Sequence, residues 1–266
     1  MNIEIYKNNH IDLRNDDTSN ASLKISILTA SLDEATNIGI WLNGILDLYH
    51  ANQISNVSEI IIVDDGSTDG TIEKIMEIMK ISPLPIKLIK RHRKMGTLNA
   101  QIIGSSQSKN KFLLIMDCDL QHSVNDIPTF LKQLSEETDV IIGSRYVKGG
   151  KNKWSPYRGI ISRIATFIAH VFIAQSRGLK DPLSGYFVIK RELFCDLRPY
   201  EGMYKPLLFS LTMNKKLKIV EIPISMEERS YGVSKIVNNP LKVIIKYLRE
   251  IIIFWKNSKK SIKNHR

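Results

Sequence analysis

Cysteine is almost missing from this chain. Only Cys118 and Cys195 occur among 266 residues, at a spacing that fits neither a disulfide framework nor a metal cage, so a reducing compartment is expected. Long hydrophobic runs are missing too. No uncharged apolar stretch reaches the roughly 18 residues that a bilayer-spanning helix requires, and no ordinary transmembrane helix is expected. The first residues lack a leader's charged-then-apolar pattern, and no secretory signal is expected there. Acidic residues are in deficit: 27 Asp and Glu against 38 Lys and Arg leave a formal net charge of +11. That balance points to an anionic partner, whether nucleic acid, a phosphorylated substrate or an anionic membrane surface. Nucleic acid is disfavoured, because much of the excess charge sits in the C-terminal tail (Lys256, Lys259, Lys260, Lys263, Arg266) rather than on a face interleaved with stacking aromatics.

What is present is an alternation of apolar runs and helical patterns. The run Phe112 to Met116 reads as a buried strand, and it ends at two carboxylates one residue apart, Asp117 and Asp119, with Gln121 beyond. Open α/β sheets bind ligands at the carboxyl ends of their strands. Hard oxygen ligands there suit Mg²⁺ or Mn²⁺ shared with a nucleotide diphosphate, although for Asp-x-Asp alone a strand followed by a polar loop is the favoured reading. Upstream, Met1 to Ser22 is polar and reads as a loose arm. Lys24 to Thr29 reads as the first strand and Ile38 to Tyr49 as a helix, and Glu59 to Val63 is a second strand followed by Asp64, Asp65, Gly66, Ser67, Thr68, Asp69, Gly70 and Thr71. A capped turn into the helix Thr71 to Lys80 accounts for the Ser, Thr and Gly residues. It leaves two adjacent carboxylates unexplained, and a nucleotide base or ribose would suit Asp65.

A third short strand, Ile86 to Ile89, leads into the basic loop Arg91 to Gly96 and a helix near Thr97 to Ser105. That loop suits phosphate or is a solvated turn. Ile127 to Leu134 is helical, and Asp139 to Ile142 is a strand ending in Gly143, Ser144 and Arg145. The series predicts a doubly wound, mostly parallel sheet. Cys118, between the two carboxylates, reads as a small buried residue. His122 is either a loop histidine bonded to its own backbone or a catalytic one.

Five segments carry a resemblance: VDDGSTDGT (63–71), MDCDLQH (116–122), IGSRYVKGG (142–150), DPLSGYFVIKRE (181–192) and RSYGVSK (229–235). In this order they resemble family 2 glycosyltransferases, and more closely the dolichyl-phosphate (polyprenyl-phosphate) mannose synthase group. The resemblance implies a GT-A fold and an inverting, metal-dependent transfer of a hexose from a nucleotide diphosphate sugar, GDP-mannose ahead of UDP-glucose, to dolichyl or polyprenyl phosphate. It implies that Asp117, Asp119 and Gln121 hold Mg²⁺ or Mn²⁺. Around the nucleotide sugar it implies Ala30, Leu32, Glu34, Val63 and Asp65, then Asp117, Cys118, Asp119 and Gln121, with Lys205 near the donor phosphates and Arg229 and Lys235 closing over. Arg145, Arg163 and Ser184 are expected at the acceptor phosphate. Asp119, Arg145, Arg229 and Lys205 are the expected catalytic set, and Ser234 belongs to the late basic segment. The family's opening Pro-Thr-Tyr-Asn-Glu appears here as Ala30, Ser31, Leu32, Asp33 and Glu34, so the aromatic beside the base is replaced.

The expected domain plan is an arm over 1–22, a catalytic domain over 23–238 with a membrane-interface helix at 157–177, and a basic amphipathic helix and tail over 239–266. In the last, Leu241, Ile244, Ile245, Leu248, Ile252 and Trp255 recur at helical spacing with Lys242, Lys246 and Arg249 opposite. Peripheral attachment to the cytoplasmic face of a membrane, with or without a small membrane partner subunit, follows as an expectation. The rival is a soluble family 2 enzyme acting on a polysaccharide or protein.

Overall fold

The computed structural model describes residues 3–8, 23–198, 203–214, 216–227 and 240–263, the last helix with side chains over 243–256. Its centre is an eight-stranded sheet built from β1 (Ile3–Lys7), β2 (Ile25–Ser31), β3 (Val57–Asp64), β4 (Ile86–Arg91), β5 (Phe112–Ile115), β6 (Val140–Ser144), β8 (Phe187–Lys190) and β9 (Ile219–Pro223). The spatial order is β1-β4-β3-β2-β5-β8-β6-β9. Strands β4, β3, β2 and β5 are parallel neighbours, as are β6 and β9. β8 runs antiparallel between β5 and β6. A second, two-stranded ribbon pairs β7 (Lys151–Asn152) with β10 (Ser225–Met226).

Helices α1 (Ala35–His50), α2 (Thr71–Ile81), α3 (Thr97–Ser106) and α4 (Ile127–Leu131) follow β2, β3, β4 and β5 in turn. The strand residues divide by period 2 between two cores. Ile27, Ile60, Ile62 and Leu114 pack with Trp41, Ile45 and Ile75 on one face. Leu28, Ile61, Val63 and Leu113 pack with Leu98, Ile102, Leu208 and Phe254 on the other. Burial on both faces explains why these strands read as continuous apolar runs.

One expectation is corrected at the start of the chain. Ile3–Lys7, assigned to the loose arm, is an edge strand antiparallel to β4, with Ile3 opposite Arg91 and Lys7 opposite Lys87. Glu4 pairs with His92 at 3.0 Å, so a five-residue strand of mixed polarity is held by an edge that would otherwise be unpaired. The remaining arm, 9–22, lies outside the described residues. At the other end, the helix α7 (Pro240–Lys263) docks through residues other than the apolar stripe read from the sequence. Tyr247, Ile251 and Phe254 are buried, whereas Ile244, Ile245, Leu248 and Ile252 are 40–58% exposed. Phe254 stacks on Phe209 of α6 (Pro206–Met213), and the Tyr247 hydroxyl donates to the Ala165 carbonyl of α5 (Pro156–Phe172). α5 itself exposes Tyr157, Ile160, Ile164, Phe167 and Val171. Among the described residues no helix is long and apolar enough to cross a membrane.

The approach of α3 to the sheet depends on Gly104. A Cβ there would lie 2.3 Å from Leu28 Cδ1 and 2.9 Å from Val63 Cγ2, both fully buried. Gly104→Val should therefore destabilise the fold by about 1–3 kcal/mol through overpacking. Thermal unfolding should show a midpoint lowered by about 2–4 °C for each kcal/mol, and an unchanged midpoint would contradict the close packing.

Candidate active site

The loops leaving β2, β3 and β5 meet at the carboxyl edge of the sheet. Asp64, fully buried, accepts the Gly66 and Ser67 amides at 3.1 and 2.8 Å and the Ser31 hydroxyl at 2.9 Å. It is the organiser of its own loop. That loop is stitched to the one after β2: Ser67 Oγ accepts the Asp33 amide, Asp33 Oδ1 the Thr68 amide, Thr71 Oγ1 the Glu34 amide and Asp69 Oδ2 the Ala35 amide. Ala30, Leu32, Glu34 and Val63, expected around the nucleotide, thus belong to one cross-linked wall.

Asp65 is 5% exposed. Arg91 Nη2 lies 2.8 Å from its carboxylate, and the amides of Met95 and Gly96 donate to it at 3.1–3.2 Å. Both adjacent carboxylates therefore have internal partners. The basic loop does not leave its helix start open for phosphate, because Asp65 already occupies those amides.

Beyond β5 the chain turns through Leu120, whose φ of 64° is unusual for a residue with a side chain. Asp119 Oδ1 accepts the Gln121 amide at 3.1 Å, closing the turn. Asp117 and Asp119 are partly exposed and flank buried Cys118, whose thiol burial and the Glu34 charge push well up in pKa; it is an inert filler, as its position predicted. Gln121 is engaged elsewhere than expected of a metal ligand: its Oε1 faces Arg158 Nη2 at 3.5 Å and its Nε2 donates to the Glu227 carbonyl. Among the described residues no three His, Cys, Asp or Glu side chains form a metal cage. Asp117 and Asp119 are hard, partly solvated oxygens that fit an ion whose remaining ligands come from a diphosphate and water.

His122 resolves to the backbone-bonded alternative. Its Nδ1 accepts the Asp117 amide at 3.1 Å, and its ring lies 5.0 Å from that of Tyr186. Burial lowers its pKa to about 4, so it is neutral at physiological pH with the proton on Nε2. Gly185 makes room for it, since a Cβ there would lie 3.2 Å from His122 Cε1 and 3.4 Å from Asp117 Oδ2.

The other half of the site is built around Arg145 at the end of β6. Its Nε and Nη2 donate to Asp181 at 2.7 and 2.6 Å, and its amide donates to the same carboxylate. Burial disfavours the charge on Arg145, but Asp181 outweighs it and raises the pKa. Ser184, expected at the acceptor phosphate, is buried, and its hydroxyl donates to the Gly143 carbonyl at 2.7 Å. Arg163 lines a cavity of about 410 Å³ with Arg145, Tyr146, Thr166 and Lys180.

Residues not singled out from the sequence complete this half. The Trp154 ring lies between two guanidinium groups, 4.6 Å from Arg145 and 4.0 Å from Arg158, and its buried indole N–H has no partner among the described residues. Tyr146 donates to Ser162 at 3.0 Å. Arg158 and Ser162 stand one turn apart on α5, a spacing that marked them as sharing a face. Lys205, at the start of α6, sits close enough to Arg145, Asp181 and Asp117 to feel all three charges; burial and Arg145 lower its pKa. Its loop is tied to α3 by the Leu98 amide, which donates to the Met203 carbonyl. Arg229, Ser234 and Lys235 lie outside the described residues. The last described residue before them, Glu227, donates its amide to the Gln121 carbonyl at 3.0 Å.

Residues 26–198 match the profile of glycosyl transferase family 2. The chain belongs to this family. The family 2 glycosyltransferase is 34% identical over 231 residues to the dolichol-phosphate mannosyltransferase of Pyrococcus furiosus, which covers 86% of this chain and 63% of that protein. The chain thus spans less than two thirds of that relative. It is 28% identical over 240 residues to the Saccharomyces cerevisiae dolichol-phosphate mannosyltransferase, covering 86% of each. Among solved structures, glucosyl-3-phosphoglycerate synthase from Mycobacterium tuberculosis, in complex with Mn²⁺, UDP-glucose and phosphoglyceric acid, superposes with a TM-score of 0.64 at 19% identity, over 90% of this chain and 81% of that one. The fold is GT-A, as the motifs implied.

For this glycosyltransferase the buried His122 sets an acid limit on stability. Its folded pKa is depressed, so its contribution is intact above the unfolded value near 6.5 and is lost as the pH falls toward 4. About 3 kcal/mol should disappear over that window. Denaturant titrations of wild type and His122→Gln between pH 7 and 4 should show a shallower decline for the variant; parallel curves would remove His122 from the acid limb.

Proposed function

We propose that the chain transfers a hexose, mannose favoured, from a nucleotide diphosphate sugar to dolichyl or polyprenyl phosphate at a membrane surface, with inversion and with a divalent metal. The observation that carries the reading is the two-sidedness of α5. Arg158 and Ser162 on it look toward Gln121 and Tyr146, while its other side exposes a stripe from Tyr157 to Val171. A lipid acceptor needs both on one element, an anion-binding head site and an apolar face next to it. The two dolichol-phosphate mannosyltransferase relatives support the same acceptor and sugar, and UDP-glucose in the structural neighbour keeps glucose as the second reading.

In this reading Asp117 and Asp119, with Gln121 beside them, hold Mg²⁺ or Mn²⁺, which supplies Lewis-acid stabilisation to the departing diphosphate. Lys205, with Arg229 and Lys235, adds positive charge there. The wall of Ala30, Leu32, Glu34, Val63 and Asp65 receives the nucleoside. The acceptor phosphate is already an anion and needs orientation rather than deprotonation. Arg158, the orphaned Trp154 N–H and Arg163 orient it, while Arg145, committed to Asp181, stacks on Trp154 and fixes that ring. His122 spends its basic nitrogen on the Asp117 amide and is no general base at neutral pH. The exposed stripes of α5 and α7, with the basic tail, attach the enzyme to anionic lipid. Two free cysteines fit the cytoplasmic face, and a small membrane partner is compatible with the same stripes.

The test is transfer of labelled sugar from a panel of GDP- and UDP-sugars to a short polyprenyl phosphate, with Mg²⁺, Mn²⁺ or chelator. One donor should give an organic-soluble product that chelation abolishes. Asp119→Ala should reduce transfer by at least about a hundredfold with the fold intact, and Arg158→Ala should raise the acceptor KM more than the donor KM. Tight metal-dependent binding of a nucleotide sugar with no lipid product would move the assignment to a soluble acceptor.

A further inference from the structure

The C-terminal helix carries a buried carboxylate that the mechanism above does not use. Glu250 of α7 is 3% exposed. Its Oε1 accepts the Tyr204 amide at 3.0 Å, and its Oε2 accepts no hydrogen bond among the described residues. Leaving an acid half-satisfied in the interior is costly, and such a group calls for an explanation. The charged and titratable groups around it come from two elements. Tyr204 and Lys205 face it from the loop before α6, and Lys246 and Tyr247 from its own helix. The ammonium groups of Lys246 and Lys205 lie 4.3 and 5.2 Å from the centre of the Tyr204 ring. Lys205 is in turn pulled by Glu250 on one side and by Asp181 and Asp117 of the site on the other.

We propose that Glu250 is a positioning residue that couples the C-terminal helix to the site: by gripping the Tyr204 amide and facing Lys205, it fixes that ammonium where the sugar donor's diphosphate binds. The proposal rests on the reading that Lys205 serves the donor. It makes α7 part of the transfer machinery as well as a surface anchor.

The sign with pH separates positioning from simple support. Burial raises the Glu250 pKa to about 7, against the opposing pull of Lys246, the Tyr204 amide and Lys205. Ionised Glu250 attracts Lys205 and strengthens the amide bond, so positioning fails as the pH drops through about 7. Its contribution to stability runs the other way. With a folded pKa above the unfolded one, that contribution is complete below about 4.5 and is lost as the pH rises through about 7.

The experiment compares wild type, Glu250→Gln and Glu250→Asp between pH 6 and 8.5. It reads mannosyl transfer to polyprenyl phosphate in vesicles, Mn²⁺-dependent affinity for GDP or UDP, whichever wild type binds, and the thermal midpoint. Glu250→Gln should melt no lower than wild type, yet at pH 8 it should lose about tenfold in rate and in nucleotide affinity. The gap should close toward pH 6, and Glu250→Asp should recover part of it. A glutamine variant with wild-type rate, affinity and pH profile would overturn the proposal, as would unfolding of both variants. If wild type binds the nucleotide but labels no lipid, the acceptor reading falls, and Glu250 is judged on nucleotide affinity alone.

Discussion

The site depends first on one ion pair held out of water. Arg145 and Asp181 meet through two short parallel bonds while both are almost fully buried. Such a pair contributes little net stability against an apolar replacement, but breaking it strands a charge at a cost of about 3–5 kcal/mol. Its value here is geometric. Asp181 ends the loop that follows α5, and its amide is held by Glu221 of β9; Arg145 ends β6 and stacks on Trp154. One fixed pair thereby sets the relative positions of β6, β9, the β8 loop and the aromatic that touches Arg158. A flexible pairing at this point would leave the anion-facing half of the site without a defined shape.

The donor half follows the same rule with a different charge. Asp64 and Asp65 are buried carboxylates whose partners are mostly backbone amides. They shape loops that have no regular structure of their own, so this wall of the candidate site is held in place by internal bonds. Reducing the ordering needed on binding lowers the entropy that binding must overcome. The carboxylates with accessible oxygens, Asp117 and Asp119, lie between these two fixed halves. Their turn is held by the Leu120 conformation, the Gln121 amide and His122.

Much of this was legible in the chain itself. Period-2 and apolar-run patterns located β2 to β6 within about two residues, because these strands are buried on both faces and little competes with that signal. The carboxylates after Val63 and Met116 marked the edge that forms the site. Other features escaped for identifiable reasons. β1 is a short edge strand whose pairing partner is 80 residues away, and β8 lies inside a motif read for its chemistry. Expectations for Asp65 and Gln121 from residue type, and for Ser184 from the family resemblance, carried no information on the partners that distant segments supply, Arg91, Glu227 and Gly143. Trp154 and Arg158 carried no motif, and only the fold brings them to Gln121.

Two helices that turn apolar side chains to the outside, α5 and α7, are also bonded to each other. An amphipathic pattern has one apolar stripe, and the simplest expectation is that this stripe either packs inward or meets lipid. α7 does both, with Tyr247, Ile251 and Phe254 inward and Ile244, Ile245, Leu248 and Ile252 outward. α5 is likewise divided between Thr166 and Ala169 inside and Tyr157 to Val171 outside. The Tyr247 hydroxyl donates to the Ala165 carbonyl and ties the two helices to each other. Apolar exposure of this size costs solubility unless something covers it. Both exposed stripes lie on helices whose inner sides reach the candidate site, α5 through Arg158 beside Gln121 and α7 through Glu250 on the Tyr204 amide, so whatever covers the stripes also bears on the walls of that site.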